Sequence, residues 1–373
     1  MNLTGQWIGR YHEPVPGKLI ADVDYMGGSY IVYAALNPDD RAIPAISATF
    51  ILPPQPNHFI VDKVQLFLIN PNTSDVDFDG VVKQNFPKLS FPASATIQGW
   101  WSDTSFHMEW TTDLGVKGST TLPRTRSGEP SEYDATRTGW DQFKALVGEY
   151  ESRKYIFRGQ SKQWRLRTTF HRKGRANTIR FRGEDIPALQ RHLSGLTKHF
   201  FDLSVPDQYG AFLNLVQHHG YPTPLLDWTY YPYVAAFFAY REVTKDRIEK
   251  ATEFDCVRIA IFDQRSWKQA YRQHIQLTAS REHFSLLDPL GMDNPRMIPQ
   301  QAIVSVTNVD DIETYVRDCE IASNKSFLKM IDLPVTSRDN VMRELGLMGV
   351  TAGSLFPGID GACEELRERN FTA

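Results

Sequence analysis

The chain has 373 residues, 41% hydrophobic and 23% charged, with a net charge of −3. That length favours two or three domains, each able to bury its own core. No apolar stretch approaches the ~20 residues of a membrane helix, and residues 1–7 lack the basic and apolar regions of a signal peptide. The expected setting is therefore cytoplasmic, away from membranes. Cys256, Cys319 and Cys363 are odd in number and far apart. They suit free thiols in a reducing compartment, and no His/Cys/carboxylate cluster with ligand spacing accompanies them, so no metal is expected.

Residues 1–125 read as all-β. Runs such as Tyr30-Ile31-Val32-Tyr33-Ala34, Ala48-Thr49-Phe50-Ile51-Leu52 and Val64-Gln65-Leu66-Phe67-Leu68-Ile69 are β-branched and aromatic, and Gly, Pro, Asn and Asp separate them. The opening Gly5-Gln6-Trp7 resembles the first strand of calycin-type barrels, where such a tryptophan plugs the closed end. An antiparallel β-barrel accessory domain follows from that resemblance, filled by side chains or used for docking rather than for a ligand. Residues 126–138 are polar with Pro, Gly and Ser, and read as a linker.

From residue 139 the pattern becomes mixed α/β, giving an α+β chain with a second domain at 139–373. Trp140, Phe143, Leu146 and Val147 fall on one helical face. Tyr155-Ile156-Phe157-Arg158 is a short buried strand. Helices are expected at 186–201, 209–218, 233–241 (capped by Thr229) and 338–347 (stopped by Gly349), and strands at 256–262 and 303–309. Between 153 and 200 lie thirteen Lys or Arg against Glu184 and Asp185 alone, a local +11 that leaves −14 elsewhere. Arg165, Arg167, Arg172, Lys173 and Arg175 belong to this segment. Two readings are equally compatible with it: a phosphate-backbone surface for nucleic acid, or a face that pairs with acidic segments of the same fold.

The most distinctive run is Tyr155-Ile156-Phe157-Arg158-Gly159-Gln160-Ser161. A guanidinium offers five donors in a rigid fork, and the adjoining glycine has no Cβ to obstruct an anion. A second run, from Gln217-His218-His219-Gly220 to Leu226-Asp227-Trp228-Thr229, leads into the apolar Tyr233-Val234-Ala235-Ala236-Phe237-Phe238-Ala239. With a later arginine-bearing strand placed at 294–306 and the tail Leu355-Phe356-Pro357-Gly358, these resemble the FRG domain family, named for Phe-Arg-Gly. The Arg-Gly strand end, and the helix after Asp227-Trp228-Thr229, are further similar to motifs of ADP-ribosyltransferases, and imply that fold.

That second resemblance implies NAD as the substrate. Arg158, Gly159, Gln160, His218, His219, Trp228, Tyr230 and Arg296 would hold it. Arg158, Asp227, Thr229, Gln300 and Gln301 would be catalytic, although glutamine stands where those enzymes carry a catalytic glutamate. Asp227 would then be the carboxylate of the site; as plain structure it is a helix cap or an arginine's partner. His218 and His219 point about 100° apart on a helix, so one of them faces a ligand and the other packs. The function implied is an ADP-ribosyltransferase-like toxin or effector acting on nucleic acid, RNA favoured, within a toxin–antitoxin or anti-phage module with a neutralising protein. The alternative is a non-catalytic FRG module that binds nucleic acid or nucleotide.

Overall fold

Alternation of apolar and polar residues builds the N-terminal sheet. In the computed structural model, which describes residues 1–40, 42–70, 76–77, 80–87, 89–274 and 277–371, its strands are β1 (Gly5–Tyr11), β2 (Gly17–Met26), β3 (Ser29–Pro38), β4 (Ile46–Leu52), β5 (His58–Leu68), β6 (Ser94–Trp101), β7 (Ser105–Thr112) and β8 (Lys117–Pro123). Each pairs antiparallel with the next, and a bridge from Trp7 to Arg124 brings the last strand back to the first. The result is a nearly closed antiparallel barrel. Trp7, Tyr11, Trp101, Phe106 and Leu122 occupy its interior. Arg124 lies over the Trp7 ring at 4.3 Å and donates to the carbonyls of Asn2, Thr4 and Asp103, tying down that end.

The second sheet comprises β9 (Ala135–Arg137), β10 (Tyr155–Gln160), β11 (Leu225–Thr229), β12 (Cys256–Asp263), β13 (Phe284–Leu287), β14 (Ala302–Thr307) and β15 (Leu328–Pro334), in the order β13-β14-β11-β10-β12-β15-β9. All neighbours are antiparallel except β15 and β9. The interior strand β12, Cys256-Val257-Arg258-Ile259-Ala260-Ile261-Phe262-Asp263, is buried along its whole length, as a strand covered on both faces must be. Helices Trp140–Gly148, Pro232–Tyr240 and Arg338–Leu347 cover one face through Phe143, Ala235, Ala236 and Leu345. Trp228, Phe262, Trp267 and Val316 form the core of the other. Among the described residues no helix is long and apolar enough to cross a membrane.

Several expectations need correction. Residues 135–137, assigned to the linker, form the parallel edge strand β9. The strand placed at 294–306 begins only at Ala302, so Arg296 sits in the turns before it. The helix expected over 186–201 ends at Leu193. Thr229 ends β11 and is not the cap of the next helix, whose N-cap is Tyr231; its hydroxyl accepts the Tyr231 N–H one step earlier.

The two sheets are joined by buried polar contacts. Asp24, 1% exposed, accepts the N–H groups of Ala176 and Asn177 and pairs with Arg175 and Arg180. Gln6 donates to Asp22 and to the Asn308 carbonyl, and accepts the Asp310 N–H. Burial pushes the Asp22 carboxyl well above the usual carboxylate range. Nearby, His171 is fully buried, its Nε2 has no partner, and burial pulls its pKa down to about 4 against the opposing pull of Asp310.

This histidine makes the fold acid-sensitive. It is neutral when folded and takes up a proton below about 6.5 when unfolded. The unfolded state therefore binds more protons between pH 6.5 and 4, and stability falls as pH drops through that window. The share from His171 is roughly 2–3 kcal/mol. Denaturant unfolding at pH 7.5 and 4.5 checks this: His171→Leu is expected to shrink the difference between the two midpoints, and an unchanged difference contradicts it.

Candidate functional site

The cleft begins where the second sheet comes apart. β10 and β11 share a single register pair, Phe157 with Thr229, whereas β10 pairs along its full length with β12. Beyond Phe157 the two strands diverge, and a side chain replaces the missing ladder: Arg158 Nη1 donates to the Asp227 carbonyl at 2.7 Å. A cavity of about 510 Å3 opens at this split. That is the size of a small-molecule site.

Arg158 is half-buried and lines this cavity. Among the described residues it has no carboxylate ion pair, and its Nε is buried without a partner. Desolvation draws the guanidinium down to about 10, a pull that Asp227 opposes and Arg172 reinforces. Arg172 also lines the cavity and is lowered by the same desolvation. An arginine kept charged with donors unspent costs the fold free energy and leaves an anion's place open.

Asp227 meets the same space. Gln217 donates to its Oδ1, and Gln217 in turn accepts the Thr223 hydroxyl, so the carboxylate is held in one orientation. Burial raises the Asp227 pKa despite Arg158, Gln217 and Arg172, each of which favours the ionised form. Thr229 donates from Oγ1 to the Gln300 carbonyl at 2.7 Å, and Gln300 Nε2 donates to the Leu355 carbonyl at 3.0 Å. The far wall is aromatic and cationic. Phe356 lies beneath Arg241 at 4.5 Å and Arg296 at 4.9 Å; Arg241 is spent on Glu364, while Arg296 has no acidic partner among the described residues. His218 lines the wall as a neutral ring, its pKa lowered to about 4 by burial and then by Arg296 and His219.

Residues 153–247 match the sequence model of the FRG domain family. The chain carries an FRG domain. No curated protein matches the chain. The matched stretch contributes Arg158, Arg172, Gln217, His218, Asp227 and Thr229 to the cleft; Asn294, Arg296, Gln300 and Phe356 reach it from beyond the FRG domain match.

The signature glycine of the FRG domain has a structural reason. A Cβ on Gly159 would lie 1.8 Å from the Ala235 carbonyl oxygen and 2.7 Å from the Ala239 nitrogen. Helix Pro232–Tyr240 crosses β10 backbone to backbone at this point, so the space freed by the missing side chain goes to the helix, not to an anion. Gln160 likewise donates to the Trp164 carbonyl and closes its own loop, although both residues border the cavity.

The structure brings together Arg158, Gly159, Gln160, His218, Asp227, Trp228, Thr229, Arg296 and Gln300 at the cleft, with Arg172. Trp228 meets it only at the strand's edge of the wall: its ring is core, against Phe262 and Phe284, with Nε1 donating to Ser305. His219, Tyr230 and Gln301 are not among the lining residues. The Tyr230 hydroxyl donates to Asp288 beneath Arg153, and Gln301, at φ 45°, turns its amide to Ile298 and Arg153.

The basic segment resolves in favour of internal pairing for three of its five candidate nucleic-acid residues. Arg165, 5% exposed, pairs with Asp311; Arg167 pairs with Asp310; Arg175 pairs with Asp24 and Asp185. Lys173 is exposed and Arg172 faces the cleft. Sequence reasoning missed Asn214, Gln217, Arg241, Asn294 and Phe356 as cleft residues. Gln217, one position before the two histidines, carries a signal in sequence; the Phe356 segment has no reactive side chain to mark it.

Among the described residues no group of three His, Cys, Asp or Glu side chains is placed to hold a metal.

Proposed function

We propose that the FRG-domain cleft binds NAD and that the protein is an ADP-ribosyltransferase-like enzyme. One observation carries the reading: Arg158 is desolvated, has no carboxylate ion pair among the described residues and keeps a buried Nε unpaired beside Arg172. Two guanidiniums so placed suit a pyrophosphate, which can accept from both. Arg296, backed by the buried Phe356, and the His218 ring offer a cation and a flat surface at the cleft, where a base or nicotinamide would stack.

Breaking the nicotinamide–ribose bond passes through a cation resembling an oxocarbenium ion. A fixed carboxylate nearby favours it electrostatically. Gln300 accepts or donates a hydrogen bond but brings no charge, so Asp227 takes that role, oriented by Gln217. NAD and an acceptor X–H then give ADP-ribosyl–X, neutral nicotinamide and a proton.

The experiment incubates the full chain with labelled NAD and, separately, RNA, single-stranded DNA and protein. Asp227→Asn is expected to lower kcat on the order of 100-fold with little change in KM, because it removes charge but keeps the hydrogen bonding. NAD binding without any nicotinamide release would replace this reading with a nucleotide-binding module, which the absence of a cleft glutamate at 300 already favours. The internal pairing of Arg165, Arg167 and Arg175 leaves RNA with less support as the acceptor. A toxic effector predicts growth arrest on expression that Asp227→Asn relieves.

A further inference from the structure

A second, smaller cavity lies against the first. It has a volume of about 160 Å3 and is lined by Thr169, Gly220, Tyr221, Leu225 and Leu226. Arg158, Arg172, Gln217 and Asp227 line both spaces. The one carboxylate that the proposed reaction uses thus faces two compartments, and Gln217 fixes it between them. Glu242, the other acidic residue at the cleft, borders only the larger.

A transfer reaction needs such an arrangement. The donor dinucleotide fills one side of the reacting carbon, and the nucleophile must approach from the other without displacing it. The small cavity is far too confined for a nucleotide and large enough for a side-chain-sized group. Its shared wall carries two guanidiniums, which repel an ammonium or another guanidinium. The half-buried Tyr221 adds ring surface, while Asp227 is an acceptor for one O–H.

We infer that the smaller cavity is the acceptor subsite, admitting an uncharged hydroxyl group to the Asp227 carboxylate. This rests on the NAD reading above. In the step, the acceptor oxygen attacks the ribose anomeric carbon as the carbon–nicotinamide bond breaks. The bonding pair leaves with the nicotinamide nitrogen, which becomes neutral, and the hydroxyl proton passes to Asp227. Asp227 is exposed at the cleft, and the upward direction of its pKa, in which desolvation outweighs Arg158, Gln217 and Arg172, suits proton capture.

The test uses simple alcohols as acceptor probes and a block placed after folding. Thr169→Cys is nearly isosteric, and the native Thr169 hydroxyl makes only a long 3.4 Å contact to the Thr223 carbonyl. The folded variant is treated with benzyl methanethiosulfonate; wild type treated identically controls for the exposed Cys363. Both are given NAD with 1-propanol or with ethanolamine, and NAD affinity is measured by calorimetry on the same samples.

The expected result is propyl-ADP-ribose from wild type in at least tenfold excess over the ethanolamine product. The block should cut propyl transfer at least tenfold with NAD affinity unchanged. Undiminished propanol transfer in the blocked protein overturns the acceptor assignment and leaves the NAD reading standing. Loss of NAD affinity on blocking also overturns it, because the small cavity would then belong to the nucleotide. A wild type that binds NAD but never releases nicotinamide removes the enzymatic reading and this inference together.

Discussion

Arg158→Met is expected to weaken NAD binding on the order of 30- to 150-fold while leaving the thermal midpoint the same or higher. The binding loss follows from removing charge-assisted hydrogen bonds to phosphate, about 2–3 kcal/mol. The stability result follows from burial. Arg158 is desolvated, has no carboxylate ion pair among the described residues, and spends one donor on the Asp227 carbonyl. Methionine keeps the apolar stem and removes a charge that the fold solvates poorly. An arginine kept for structure would behave oppositely: its loss would lower the midpoint and leave affinity alone. Calorimetric titration and thermal unfolding of the same preparation separate the two.

Gly159→Val is expected to cost about 3 kcal/mol or more, enough to deplete the folded state of a marginally stable protein. The obstruction is the backbone of one helix, at Ala235 and Ala239. A new Cβ at 1.8 Å from the Ala235 oxygen has no flexible side chain to push aside, so helix Pro232–Tyr240 must lift from β10. That helix carries Ala235, Ala236, Phe237 and Ala239 into the core with Phe143 and Leu345. Gly148→Val is the control, since nothing lies within 4 Å of the Cβ position there, although it carries the usual helix-propensity cost. Denaturant midpoints compare the two. Equal losses would show that the crossing at Gly159 is looser than its geometry implies.

Local patterning made much of the architecture readable. β-Branched and aromatic runs between turn residues mark β3, β4 and β5, and the shift at Trp140 marks the start of the second sheet's helices. Arg158 stands out in sequence as a guanidinium beside a glycine at the end of an apolar strand, whereas Asp227 is singled out only by the resemblance to ADP-ribosyltransferase motifs; both border the cleft. The failures share a cause: partnership across long sequence separation leaves no local trace. The +11 segment shows charge density, but not that Arg165 meets Asp311 or that Arg175 meets Asp24 across the two sheets. The fate of the two glutamines turns on one residue of register. Gln300 faces the cleft and Gln301 faces away, a choice settled by where β14 begins. Gly159 borders the cleft, but the crossing of helix Pro232–Tyr240 over it cannot be seen in sequence. Phe356 contributes through a tertiary approach to Arg241 and Arg296, and its own segment is chemically plain.

The most direct measurement titrates NAD into the full wild-type chain by calorimetry and then assays nicotinamide in the same cell. A dinucleotide held by the Arg158–Arg172 pair gives saturable one-to-one binding that weakens at least tenfold in Arg158→Met, with nicotinamide accumulating over time. No saturable heat with NAD, ADP-ribose or ATP would mean that these unspent guanidinium donors answer to something other than a nucleotide's phosphates.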